Sequence, residues 1–155
     1  MTFAAAKPVL VGSADARFEA GSQAQPITRA EAKVSFRSLK QIDAGVLNVG
    51  YAEDGPADGP VVMLLHGWPY DIHTYVDVAP LLAAQGSRVI VPYLRGYGPT
   101  RFLAEDTFQN GQQAVLALDI IHVMDALTID TAIIGGWDWG ARTANIMAAL
   151  WPERC

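Results

Sequence analysis

The chain has 155 residues, 51% of them apolar and 17% charged, with a net charge of −5. That is the size and composition of one soluble globular domain. No basic cluster is available to neutralise phosphates, which argues against a nucleic-acid partner. No apolar run approaches the roughly 20 residues that span a bilayer, and the single cysteine, Cys155, excludes an internal disulfide.

Residues 1–32 are rich in Ala, Gly and Ser, keep no period, and have their early apolar stretch interrupted by Lys7 and Pro8. They read as a flexible extension ahead of a core domain at 33–155. A degraded or truncated export signal is the alternative, because a secretory signal wants a basic start and an unbroken apolar run. A cytoplasmic location is the expectation.

From there strand and helix signals alternate. Residues 33–40 and 45–51 read as two strands with a turn between, able to pair antiparallel at one edge. Asp54-Gly55-Pro56 and Asp58-Gly59-Pro60 are strong breakers. Val61-Val62-Met63-Leu64-Leu65 is a continuous apolar run of the kind buried on both faces. A helix is expected over 75–85, with Val78, Leu81 and Leu82 on one face and Gly86 as its stop. Residues 88–92 read as a strand and 94–107 as a loop. A long helix is expected over 109–127, with Ala114, Leu118, Ile121 and Met124 near helical spacing. Thr131-Ala132-Ile133-Ile134 reads as a further strand and 141–151 as a further helix. Such alternation argues for an α/β fold with a mostly parallel sheet flanked by helices.

The chemistry concentrates at Gly136-Trp137-Asp138-Trp139-Gly140, which lies between the last strand and the last helix. Strand, sharp glycine turn and helix is the context of a nucleophile elbow, whose central residue is usually serine. An aspartate changes the chemistry. A carboxylate is ionised at neutral pH without help from a base, and it can displace a leaving group at saturated carbon to form a covalent ester. Gly136 and Gly140 leave room where a β-carbon would meet neighbouring backbone. The helix N-terminus behind the turn favours negative charge. On its own the five-residue pattern is also compatible with a plain glycine-rich turn bearing an exposed acid.

A second motif, His66-Gly67-Trp68-Pro69, follows the apolar run ending at Leu65. Gly67 permits a tight turn, and Trp68-Pro69 is a candidate cis peptide. A turn of this shape can aim the Trp68 N–H into a pocket where, with the N–H of Trp139, it would form an oxyanion hole. The His66 side chain fits a structural role better than that of a base. Trp68, Trp137 and Trp139 gather at the elbow, and three such rings beside a nucleophile point to an apolar substrate wall rather than plain core.

The segments His66-Gly67-Trp68-Pro69, Arg95-Gly96-Tyr97-Gly98 and Gly136-Trp137-Asp138-Trp139-Gly140, in this order and spacing, resemble the N-terminal half of α/β-hydrolases of the epoxide hydrolase and haloalkane dehalogenase group. The resemblance runs from about Phe36 to Cys155. It implies that Asp138 is the nucleophile, that the backbone at Trp68 and Trp139 holds the oxyanion, and that the substrate is a small apolar epoxide or haloalkane. Haloalkane dehalogenases typically carry Asn where Trp68 stands, which tilts the expectation towards epoxide hydrolysis to a diol. The Trp139 indole keeps halide binding open. Tyr93 departs from the acid that many relatives have at that position.

In this family the cap, the acid and the water-activating histidine lie in the C-terminal half. The expectation is therefore a partial α/β-hydrolase fold truncated after the elbow helix, with the elbow strand at an unpaired edge. Such a fragment would have no turnover of its own. A non-catalytic binding or interaction protein that kept the half-fold is the alternative. The remaining polar residues read as structural. His73 is a surface residue, His122 a helix histidine, Asp71, Asp119 and Asp125 solvated acids, and Arg95 an anchor bonding to carbonyls. The three histidines share no metal-ligand spacing, so neither metal nor cofactor is expected. Nothing in the sequence fixes an oligomeric state.

Overall fold

A computed structural model of the chain describes Phe36 and residues 38–155; the extension expected at 1–32 lies outside the described residues. Six strands, β1 (Leu39–Ala44), β2 (Leu47–Asp54), β3 (Val61–Leu65), β4 (Arg88–Pro92), β5 (Arg101–Phe102) and β6 (Ile133–Gly136), form one sheet. Its order is β1-β2-β4-β3-β6, with β5 pairing onto β2. Helices α1 (Val78–Ala84), α2 (Gln113–Ala126) and α3 (Trp139–Leu150) flank it, with short 3-10 turns at Ile72–Tyr75 and Pro152–Arg154. None of these helices is long and apolar enough to cross a membrane.

Successive side chains of a strand point to opposite faces, and the central strands are apolar on both. Met63, Leu65 and Ile90 enter a core shared with Leu116, Ile120, Val123 and Met124 of α2 and Met147 of α3. Their neighbours Val62, Leu64, Val89 and Val91 pack on the other side with Ile72, Tyr75 and Ala79. Full burial of one aliphatic side chain contributes roughly 1.5–3 kcal/mol. The two unbroken runs of β3 and β4 are thus what fastens the sheet between its helical layers.

β3 runs parallel to β4 and β6, whereas β2 is antiparallel to β1, β4 and β5. The sheet is mixed rather than mostly parallel, because the antiparallel pairing expected only for the first two strands also joins β2 to β4. The hairpin lies later than expected. β1 occupies 39–44, the expected strand at 33–40 lying partly outside the described residues, and β2 continues to Asp54 rather than stopping at 51. Gly45, expected to open the second strand, is instead the hairpin corner, with a φ of 56°. A β-carbon there would fall 2.1 Å from His122 Nδ1.

The helix expected over 75–85 is a 3-10 turn followed by α1, and its inward face is rotated. Ala79 is the buried position, while Val78 and Leu81 are exposed. Asp71 accounts for the entry, since its side chain accepts from the His73 N–H and caps the 3-10 turn. α2 begins at Gln113 rather than 109. Its inward stripe is Leu116, Ala117, Ile120, Ile121, Val123 and Met124, so Ile121 and Met124 are buried as expected while Ala114 and Leu118 lie on the exposed side.

After β3 the chain lays β4 on one side of it and later returns to lay β6 on the other. The carboxyl ends of β3 and β6 therefore sit side by side where the winding reverses. Open α/β sheets hold their ligands at that point. β6 forms the edge of the sheet among the described residues.

Candidate active site

Register brings the two glycine turns together. Leu65, the last residue of β3, is aligned with Gly136, the last of β6, and the Trp137 N–H donates to the Leu65 carbonyl at 3.4 Å. Asp138 follows at the head of α3 with φ 51° and ψ −117°. That is the positive-φ half of the backbone map, where a β-carbon crowds the chain. The Asp138 carbonyl accepts from the Arg142 N–H at 3.1 Å, so its backbone already belongs to the helix. Its side chain is exposed.

The three motif glycines mark close approach. A β-carbon on Gly67 would lie 2.6 Å from the Asp138 Cβ, one on Gly140 2.0 Å from the Leu65 carbonyl oxygen, and one on Gly136 2.5 Å from the Gly140 carbonyl carbon. Any larger residue forces β3, β6 and α3 apart.

The Trp68–Pro69 peptide is cis, and the Trp68 N–H donates to Asp138 Oδ1 at 2.9 Å. The backbone N–H groups of Trp68 and Trp139 hold the Asp138 carboxyl below the usual carboxylate range. The carboxylate is therefore charged at neutral pH and pinned by main-chain donors rather than by a cationic side chain. His66 is fully buried, and its Nε2 accepts from the Leu94 N–H at 3.1 Å. The Tyr97 ring meets it edge-on at 4.6 Å between centroids. Burial pushes the His66 pKa down. A neutral ring accepting at Nε2 ties the turn after β3 to the loop after β4.

A cavity of about 300 Å³ lies against this turn, lined by Gly67, Trp68, Leu94, Arg95, Tyr97, Gly111, Leu116 and Trp139. Trp68 and Trp139 thus form part of an apolar wall. Trp137 does not line it. Its ring lies 5.9 Å from that of Tyr70 and packs towards the Val62 and Leu64 side of the sheet. A larger hollow of about 630 Å³ sits at the opposite ends of the strands, around Gly59, Arg88, Asp130 and Cys155. It is remote from Asp138, and the Arg88 Nε there is already bonded to Glu53.

One acid differs from its sequence reading. Asp119 is buried rather than solvated, and it receives both Nε and Nη2 of Arg95 at 2.6 Å. Burial is the larger influence and raises its pKa, against the opposing pull of Arg95. Arg95 also bonds a carbonyl, as expected, donating from Nη1 to Asn110 at 2.6 Å. Asp125 is exposed and pairs with Arg154. His73 is exposed and pairs with Asp71, whose side chain is partly exposed. His122 is half-buried on α2. Tyr93 is buried, and its ring fills the space that a β-carbon on Gly98 would need.

Residues 60–155 match the family model described as the alpha/beta hydrolase fold. The chain is 35% identical over 105 residues to epoxide hydrolase B of Mycobacterium tuberculosis, covering 66% of this chain and 29% of that protein. It is 34% identical over 108 residues to a haloalkane dehalogenase of Psychrobacter cryohalolentis, covering 70% of this chain and 35% of that protein. Among solved structures, a candidate epoxide hydrolase from Klebsiella pneumoniae superposes with a TM-score of 0.76 at 60% identity, over 79% of this chain and 41% of that one. The chain spans about a third of the length of the curated relatives it matches. With the family model matching 60–155 and the superposition on a solved structure in agreement, the chain belongs to the α/β-hydrolase fold family.

Proposed function

We propose that this chain carries the nucleophile and oxyanion site of an epoxide hydrolase. The observation that carries the reading is the exposed Asp138 carboxylate, ionised and bonded through Oδ1 by the Trp68 N–H at 2.9 Å. With Oδ1 engaged, Oδ2 attacks an epoxide carbon. A C–O bond forms, the ring C–O bond breaks, and the released alkoxide takes a proton from water. The product is an ester on Asp138 whose carbonyl oxygen already faces the Trp68 N–H group. Attack of water on that carbonyl would put negative charge on the same oxygen, where fixed donors are most effective. Trp68, Trp139, Leu94 and Leu116 give the cavity the apolar surface that suits a small, weakly polar epoxide.

Hydrolysis of the ester needs an activated water. None of the chain's three histidines is suited to it. His66 is buried and bonded to the Leu94 N–H, His73 sits in the 3-10 turn with its N–H and its ring both bonded to Asp71, and His122 lies on α2 against the hairpin corner at Gly45. The 155-residue chain alone should therefore accumulate ester without turning over.

Treatment with styrene oxide followed by intact-mass and peptide analysis tests this reading. The exposed Cys155 thiol would give a background adduct, so the assay uses Cys155→Ser. One adduct on Asp138, absent after Asp138→Ala, is the expected outcome. Labelling confined to other residues would overturn the assignment. Faster labelling of Asp138 by 1-bromobutane than by styrene oxide would move it to haloalkanes.

A further inference from the structure

Arg95 lines the cavity beside Asp138, yet its guanidinium is already engaged. Nε and Nη2 fork onto the two oxygens of Asp119, and Nη1 donates to the Asn110 carbonyl, each at 2.6 Å. Its Cζ lies 5.6 Å from the centre of the Phe102 ring. Both charged side chains are buried, 7% and 8% exposed. So committed, the guanidinium has little to offer a substrate. What it supplies is connection. Leu94 and Tyr97 flank it in its own loop, Gly111 follows Asn110, and Leu116 precedes Asp119 on α2; all four line the cavity. The same loop reaches the nucleophile in two bonds. The Leu94 N–H donates to His66 Nε2, and two residues beyond His66 the Trp68 N–H donates to Asp138.

We infer that Arg95 and Asp119 are positioning residues for the Asp138 site, holding loop 94–97 so that the Trp68 N–H stays aimed at the carboxylate. This inference rests on Asp138 being the nucleophile. A planar fork suits the task better than an ammonium, because two parallel bonds fix orientation as well as distance. Small displacements of a reacting group are costly in rate.

The test removes the pair as a pair. Arg95→Met with Asp119→Leu leaves no buried charge uncompensated, a replacement that proteins often accept without loss of stability. In the 155-residue chain carrying Cys155→Ser, labelling of Asp138 is followed over a series of styrene oxide concentrations. Hydrogen exchange is read in parallel on peptides covering 66–69 and 94–97. The expected result is an unchanged circular dichroism spectrum, a limiting labelling rate lower by about tenfold, and faster exchange at the Trp68 and Leu94 amides. A folded variant with the original limiting rate and original exchange overturns the inference. Should the double variant fail to fold, Arg95→Lys keeps the charge but cannot fork. A reduced limiting rate there sustains the inference, and an unchanged one overturns it. If the unsubstituted chain takes no label on Asp138, the nucleophile reading fails by itself. Exchange then decides the pair, faster exchange sustaining it and unchanged protection overturning it.

Discussion

The two ends of the sheet are held by different means. Where β3 meets β6 and α3, main chain touches main chain. The space for a β-carbon on Gly140 is filled by the Leu65 carbonyl, and that on Gly136 by Gly140 itself. Where the β1–β2 hairpin meets β4, side chains meet instead, around a mostly buried Glu53. Lys40 and Arg88 donate to the two oxygens of Glu53 at 2.5 and 2.7 Å, and Asn48 donates to Asp43 at 2.6 Å. Packed backbone tolerates no added atom, because the interior does not yield by half a bond length without moving an element. An exposed partner such as Lys40 exchanges water for the pair with little net gain. Geometry at the proposed site is thus enforced by steric exclusion, while the hairpin edge is loosely specified and forgiving.

The largest expected effect attacks the tight end. Gly140→Ala puts a methyl 2.0 Å from the Leu65 oxygen and should destabilise the chain by about 3 kcal/mol, read as a fall in the urea midpoint. A midpoint like that of the parent chain would mean that α3 and β3 do not approach so closely. A smaller effect comes from His66. Burial lowers its pKa in the folded chain, so the unfolded chain binds the proton more readily. Stability should therefore fall as pH drops below the ordinary histidine value of about 6.5, and continue falling until the folded-state value is passed. Urea midpoints for the parent chain and His66→Gln between pH 7.5 and 5.5 check this; equal slopes would remove His66 as the cause. The smallest effect is at the loose end. Lys40, 53% exposed in its pair with Glu53, should cost no more than about 0.5 kcal/mol when changed to Ala. A loss of about 2 kcal/mol would erase the contrast with a surface pair.

The same contrast explains what could be read from the sequence. β3 and β4 were legible to the residue, because the apolar run 61–65 and the β-branched run 89–91, each following a turn glycine, leave one consistent interpretation. The strand-to-helix turn at Asp138 was legible because two glycines coincide there with the change of element. The antiparallel hairpin was legible but its bounds were not, since its polar and apolar residues alternate weakly and Gly45 can open a strand or turn a corner. The inward face of α1 was not legible, because Val78–Ala84 is apolar all round and carries no mark of which side turns to the sheet. The partner of Arg95 was invisible for a different reason. A single acid on a helix carries no mark of the guanidinium 24 residues away that will bury it.

Asp138 also bears on what this sequence was selected for. A non-glycine residue at positive φ costs roughly 1 kcal/mol relative to glycine, and at 51° Asp138 carries that burden at the head of α3. A chain shaped for folding alone would place glycine there. Replacing Asp138 by Gly should thus yield a more heat-resistant protein that lacks the proposed nucleophile, so that thermal tolerance and the proposed chemistry oppose each other at one residue.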